Sequence, residues 1–297
     1  MIKVLESNEW YSGTSKTVER FERKLRDYLN CKNVVAVNSG TAALHLALSL
    51  FKPQVMTTTA HSFVATAQAI VMNGHTIKFK DQGPYNVPVH FGGMPSDISE
   101  AIVEDCAHAM GSKLKGDNIK CFSFHAQKNL AMPNGGAIAL YDDEHLEELK
   151  AKRWCGIRQG ETRDVVSEGY NYVMNNVSAV CGIEQLRTLD ENNDRRRAIA
   201  KRYYEELDFV RMPYDRDCSY HLYWIRVKNR DEFRAKMLEN GIETGFHYPS
   251  IDRFSAFDDE YLPRTHRISD CIVTLPIHPN LKNEDLDRVI KSANSSV

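Results

Sequence analysis

Apolar and polar positions follow two rhythms along the chain. In "TVERFERKLRDYL", Val18, Phe21, Leu25, Tyr28 and Leu29 recur at helical spacing between charges, which predicts an amphipathic helix. Short apolar runs follow at "VVAV" (34–37), "VMTTT" (55–59), "TIKF" (76–79), "VPVHF" (87–91), "AIVED" (101–105), "CFSFH" (121–125) and "GAIALY" (136–141). Each has the length and bounding turn residues of a buried strand. Between them, "NSGTAALHLALSL" turns through Gly40 into an Ala- and Leu-rich helix, and "SFVATAQAIVMNG" reads as a helix closed by Gly74. Strands alternating with helices predict an α/β fold with a mostly parallel seven-stranded sheet and flanking helices.

The pattern changes after residue 142. "DEHLEELKAKRW" is a polar helix, and "NNVSAVCGIEQLRTLDENNDRRRAIAKRYYEEL" reads as one long helix or two in series. Strand-like "YHLYWIRV" (220–227), helical "DEFRAKMLENG" (231–241) and "CIVTLPIHP" (271–279) complete a smaller α+β part. The expected division is a large domain over 12–185 and a small C-terminal domain over 186–297. "SANSSV" at the end reads as a frayed tail.

Composition narrows the class. The chain has 297 residues, enough for two domains, and 42% hydrophobic and 26% charged residues are ordinary for a globular protein. A formal net charge of −2 gives no electrostatic reason to expect nucleic acid or an anionic membrane as partner. The basic run Arg195-Arg196-Arg197 follows Asp190, Glu191 and Asp194, and reads as a solvated helix face. Seven cysteines, an odd number with no CxxC, argue against zinc-ribbon and thioredoxin-type chemistry and fit a reducing cytosol. No signal-peptide pattern and no membrane-length apolar stretch occurs, so a cytoplasmic protein is expected.

Three stretches could carry chemistry. In "NSGTAAL", a strand, then Ser39-Gly40-Thr41, then a helix offers amides and a hydroxyl to an anion, or else a simple helix cap. It is neither a P-loop nor GxGxxG. In "AIVEDCAHAMG", Glu104 and Asp105 fall at a strand's C-terminal edge, where α/β sheets bind ligands. A carboxylate there can pair with a cationic ring nitrogen. Ala107 is small enough to admit a flat ring, and His108 can donate a hydrogen bond; a helix cap is the plain alternative. In "FSFHAQKN", Ser123 ends another strand five residues before Lys128. A lysine amine is nucleophilic only where its pKa falls or a carbonyl captures it; otherwise it is a surface charge.

Taken together and in this order, these stretches resemble the pyridoxal-phosphate enzymes of the aspartate-aminotransferase fold. More specifically, they resemble the DegT/DnrJ/EryC1/StrS family of sugar aminotransferases. "VVAVNSGTAALHLAL", "SFVATAQAIVMNG", "VPVHFGGMPSDI", "IVEDCAHAMGS", "FSFHAQKN", "GGAIAL", "GYNYVM" and "HYPSID" carry the resemblance from about residue 12 to about residue 290. It implies that Lys128 forms the internal aldimine with pyridoxal 5′-phosphate and that Asp105 pairs with the pyridinium nitrogen. His108 would lie near the ring's 3-oxygen, Ala107 against one ring face and Phe63 against the other. Gly40, Thr41, Ala42 and Ser123 would hold the phosphate, and Asn171 would reach a phosphate in the partner of a homodimer. His125, His247 and Tyr248 are candidate substrate contacts. The implied reaction moves an amino group from glutamate or glutamine to a keto-sugar, on a nucleoside diphosphate, through pyridoxamine phosphate. Some sugar 3-dehydratases of the family carry histidine at the lysine position, so Lys128 favours transamination. The alternatives are another keto-sugar or cyclitol enzyme using these cofactors, such as a dehydratase or an inosose aminotransferase, and a non-catalytic regulatory homologue.

The chain departs from the family by being short. Only about seven residues join "TIKF" to "VPVHF", the helix between "MPSDI" and "AIVED" is nearly gone, and the N-terminal helix before "WYSGT" is expected to be missing. Three positions expected on the substrate side also differ: Pro133-Asn134 replaces glycine-glutamate, Val173 an arginine, and Asp252 a histidine.

Overall fold

The computed structural model describes residues 2–13, 15–158, 163–258 and 260–296. A short helix, α1 (Ile2–Glu6), precedes "WYSGT", so the N-terminal helix is reduced rather than lost. Helix α2 (Thr17–Leu29) buries Val18, Phe21 and Leu25, and ends at Asn30 in the left-handed conformation. Strand β1 (Asn33–Val37) then leads into α3 (Gly40–Leu48), β2 (Val55–Thr58), α4 (Ala65–Met72) and β3 (Thr76–Phe79). Strands β4 (Val103–Asp105), β5 (Ile119–Ser123) and β6 (Gly136–Leu140) follow with no helix of more than one turn between them.

The main sheet has the order β1-β6-β5-β4, and β2 pairs with β3 alongside it. Pairs β4/β5 and β2/β3 are parallel, but β6 runs antiparallel to both its neighbours. It is reached from β5 by a loop rather than by a crossover helix, which a parallel neighbour would need. The α/β class expected from the sequence therefore stands, with two differences. One is the reversed β6. The other is 87–91, which is not a regular strand: Val89 alone bridges to Asp105, and a 3-10 turn (Phe91–Gly93) follows. Pro88 has no N–H to give to a ladder. The segment still joins the two sheets. Val87 N donates to Thr57 O at 3.0 Å on one side, and Asp105 N donates to Pro88 O at 2.9 Å on the other.

Beyond β6 come α5 (Leu146–Arg153), the short pair β7 (Ile157–Arg158) and β8 (Asp164–Val165), and two helices in series, α6 (Asn176–Gln185) and α7 (Leu189–Glu206). Antiparallel β9 (Val210–Arg211), β10 (Tyr223–Arg226) and β11 (Ile272–Leu275) form a separate sheet. It packs with α8 (Arg230–Glu239) and α10 (Asn283–Ser295), while α9 (Pro263–Cys271) leads into β11. Ile199, Tyr203, Tyr223, Phe233, Val273 and Leu286 belong to an apolar cluster distinct from those around the main sheet. The terminal residues correct the expected frayed tail: α10 runs to Ser295 and buries Ala293, while Val297 lies outside the described residues. The solvated-face reading of Arg195–Arg197 is also corrected, because Arg196 is buried. Among the described residues no helix is long and apolar enough to cross a membrane.

Candidate active site

Strand register brings the chemistry to one sheet edge. Val37, the last residue of β1, faces Gly136, and Gly136 faces Ser123 at the end of β5. On the far side of β5, Asp105 pairs with Cys121. The turn into α3, Ser123 and Asp105 therefore emerge side by side at the ends of β1, β5 and β4. Strand alternation sends Glu104 the other way. It is fully buried on the opposite face, 3.3 Å from Lys120 Nζ and 2.8 Å from His90 Nε2. Glu104 thus belongs to an internal network and not to the edge.

At the turn, Ser39 caps α3 by accepting from Ala42 N at 3.1 Å. The capping role is therefore filled, and the Ala42 amide is engaged. Amides near Gly40 and the exposed Thr41 hydroxyl remain at the helix N-terminus. Packing here is close. A Cβ at Gly40 would lie 2.6 Å from Ser123 Cβ, and one at Gly136 would lie 2.3 Å from Ser39 O. Glycine at both positions lets the N-terminus of α3 press against the ends of β5 and β6.

Asp105 is buried and accepts two hydrogen bonds, from Thr66 Oγ1 at 2.6 Å and from Ala107 N at 3.0 Å. Both fix the orientation of the carboxylate. His108 accepts from Gly92 N at its Nδ1, so the neutral ring carries its proton on Nε2, 3.3 Å from Tyr248 Oη. Burial, with help from His221, Lys128 and His247, holds His108 neutral well below the usual histidine range. Burial also pushes the Tyr248 hydroxyl up, and the negative charge of Asp105 adds to that. Phe63 is 55% exposed, its ring 5.8 Å from that of Tyr248.

Lys128 lies on the loop after β5, its N–H donating to His125 O at 2.8 Å. Burial lowers its amine to about 8, against the opposing pull of Asp105. That loop is fastened by the next residue. Asn129 is buried and donates from Nδ2 to Asn193 Oδ1 and Ser219 O, both at 2.9 Å. Its Oδ1 accepts from His221 Nδ1 at 3.1 Å. The His221 ring lies tilted, 4.4 Å from that of His108, and is held neutral by burial and by Lys128 and Arg196.

A cleft of about 820 Å³ opens beside Lys128, lined also by Arg196, His221, His247 and Tyr248. His247 Nδ1 lies 2.8 Å from Thr274 Oγ1. His125 is exposed, does not line this cleft, and accepts from Gln127 N at Nδ1, which caps the loop. Asn171 is exposed on the segment that Val173 bridges to Val37. The expectation that Asp252 lies on the substrate side is overturned. Asp252 is buried, accepts from Ser250 Oγ, and sits 2.7 Å from His266 Nε2. Pro133 and Asn134 are exposed at the turn before β6.

Four residues at or beside the cleft escaped the sequence reading. Thr66 stands one helical turn after Phe63, a spacing that could have marked it. Asn129 directly follows Lys128. His221 is hidden in the apolar "YHLYWIRV", and Arg196 in a basic run.

Comparison with known proteins follows the same outline. The model of the DegT/DnrJ/EryC1/StrS aminotransferase family matches residues 1–90 and 87–294. Its two stretches meet where the link after β3 is short. The sugar aminotransferase CalS13 from Micromonospora echinospora is similar with a TM-score of 0.90 at 28% identity, over 98% of this chain and 94% of that one. DesV from S. venezuelae, in complex with a ketimine intermediate, gives 0.90 at 28% identity over 99% of this chain and 92% of that one. A DegT DnrJ EryC1 StrS aminotransferase from Brucella abortus gives 0.89 at 25% identity, over 99% and 93%.

Proposed function

Because the chain belongs to the DegT/DnrJ/EryC1/StrS aminotransferase family, we propose that it moves an amino group from glutamate or glutamine to a keto-sugar with pyridoxal 5′-phosphate as cofactor. The observation that carries this reading is Lys128, a half-buried amine lowered to about 8 in a cleft it shares with Tyr248 and His247. An amine so placed is neutral often enough to attack a carbonyl.

The residues present fit the cofactor. Lys128 Nζ would be the point of attachment. Asp105, fixed by Thr66 and Ala107 N, would pair with the ring nitrogen. His108, with its proton on Nε2, would donate to the ring's 3-oxygen. Ala107 and the exposed Phe63 would lie against the ring faces. Gly40, Thr41 and Ser123 would hold the phosphate at the α3 N-terminus, where the helix dipole favours an anion. Ala42 contributes by capping and packing. Bound pyridoxal phosphate supplies an electron sink and carries the amino group, as pyridoxamine phosphate, between two half-reactions. Lys128 Nζ would also be the base that takes the proton from the donor's α-carbon. His247 and Tyr248 face the substrate from across the cleft.

CalS13, a sugar aminotransferase, supports a sugar acceptor. The size of the cleft and Arg288 at its lining support a nucleotide-linked one. Asn171 serves the partner's phosphate in a homodimer. The chain divides into a cofactor-binding part over 12–185 and a smaller part over 186–297, a reading supported by the separate apolar cluster between Ile199 and Ala293.

Visible absorption tests the reading. The protein loaded with pyridoxal phosphate should be yellow, and glutamate or glutamine should bleach it. A protein that takes up no cofactor, or a Lys128→Ala variant with full turnover, would refute it.

A further inference from the structure

Arg196 stands out among the basic residues. It is 9% exposed, and its Nη1 is buried with no hydrogen-bond partner. Its neighbours in sequence are both engaged: Arg195 Nη2 donates to Leu281 O at 2.6 Å, and Arg197 Nη1 to Asp194 Oδ1 at 2.7 Å. A buried guanidinium without an acceptor carries the full cost of its lost hydration. Burial alone lowers Arg196 to about 10, and no carboxylate holds it up. Such a group suits an anion that arrives from outside, since its fixed fork of donors matches a carboxylate in bidentate fashion.

The place of Arg196 narrows which anion. It lines the same cleft as Lys128 and His221, and the charges of both cations help keep His221 neutral. An amino donor bonds to the cofactor through its nitrogen. Its α-carboxylate is then two bonds from that nitrogen and must lie close to Lys128. The phosphates of a sugar nucleotide are several bonds further from the reacting carbon. Arg288, more exposed and 3.4 Å from Asp285, is the cation at the outer part of the same cleft.

We infer that Arg196 is the subsite for the α-carboxylate of the amino donor, and so sets specificity for α-amino acids over simple amines. The inference rests on the aminotransferase reading above. Asn193, one helical turn before Arg196 on α7, bonds to Asn129, so the donor subsite and the Lys128 loop are held by the same helix.

The half-reaction tests this with the cofactor-loaded protein, by following bleaching with L-glutamate and with its α-amide, isoglutamine. The wild type should prefer L-glutamate strongly. Arg196→Met, which keeps the apolar stem, should raise the KM for L-glutamate by about 100-fold and remove the preference over isoglutamine, with Tm unchanged or higher. Arg196→Lys, the milder variant should methionine not fold, should raise it by about tenfold. An L-glutamate KM within threefold of wild type in either folded variant, with the preference kept, would overturn the inference. So would an effect confined to the affinity for UDP, which would place a phosphate there instead. Those results leave the aminotransferase reading intact. A wild-type protein that no amino acid bleaches would instead remove that reading, and this inference with it.

Discussion

At the scale of single residues, the negative charge of Asp105 opposes the lowering of Lys128 by burial, and the sign of that effect is testable. Lys128 is lowered from 10.5 to about 8 in the folded protein. At pH 7 roughly a tenth of the amine is neutral, far more than for a surface lysine. The rate at which the cofactor-free protein captures pyridoxal phosphate should therefore rise with pH through about 8 and level off above it. Asp105 favours the ammonium form, so Asp105→Asn should shift that midpoint to lower pH; a shift upward would contradict the coupling. The same value bears on stability. Below about 8 the amine is protonated in both folded and unfolded chains, and the cost of burying it is fully present. Between about 8 and 10.5 the folded chain sheds the proton first, so stability rises with pH there. Urea unfolding should accordingly show the cofactor-free Lys128→Met variant gaining most over wild type below pH 8. Thr66 acts through Asp105 and is a positioning residue. Thr66→Val should lower kcat about tenfold with little change in cofactor stoichiometry, and Thr66→Ser should restore most of it. Equal losses in both variants would point to packing rather than to the hydrogen bond.

At the scale of elements, the site depends on how closely α3 approaches the sheet. Gly136→Ala would put a methyl group 2.3 Å from Ser39 O, a backbone atom that cannot step aside. We expect a loss of about 2–4 kcal/mol in thermal or urea unfolding, with weaker cofactor retention. A variant of wild-type stability that holds cofactor normally would show that the turn can move. These elements were largely legible in the sequence. Buried strands such as "VVAV" and "GAIAL" are apolar throughout, and β6 is buried along its whole length. The direction of β6 was not legible, because a run buried on both faces has no pattern that distinguishes parallel from antiparallel pairing. Segment 87–91 looked like a strand by its apolar content, yet Pro88 withholds the donor a ladder needs. Arg196 was illegible for a geometric reason. Successive helical residues point about 100° apart, so three in a row cannot share one face. Composition marks Arg195–Arg197 as polar, while the helix turns one of them inward. Asp252 misled in the opposite sense, because its partner His266 becomes a neighbour only in the folded chain.

At the scale of the whole molecule, the open question is whether one chain makes a complete site. The edge formed by Gly40, Ser123, Asp105 and Lys128 comes from a single subunit, and Asn171 meets its border through the backbone. Its backbone carbonyl accepts from Asn38 Nδ2 at 3.3 Å, whereas its side-chain amide is exposed and unpaired among the described residues. An amide held in place by its backbone and left free at its tip suits a contact made to a second copy. In a two-fold dimer that contact occurs twice, once for each site. Subunit mixing separates the possibilities. Lys128→Ala would remove the attachment point in its own subunit, and Asn171→Ala the contact proposed to the partner. Each variant alone should be inactive or nearly so. After joint unfolding and refolding of an equal mixture, half of the dimers should pair one variant with the other. Each such dimer holds one site with both residues intact, so activity should return to about a quarter of the wild-type value per subunit. If Asn171 served its own subunit, every site in the mixed dimer would lack one residue or the other, and no activity would return.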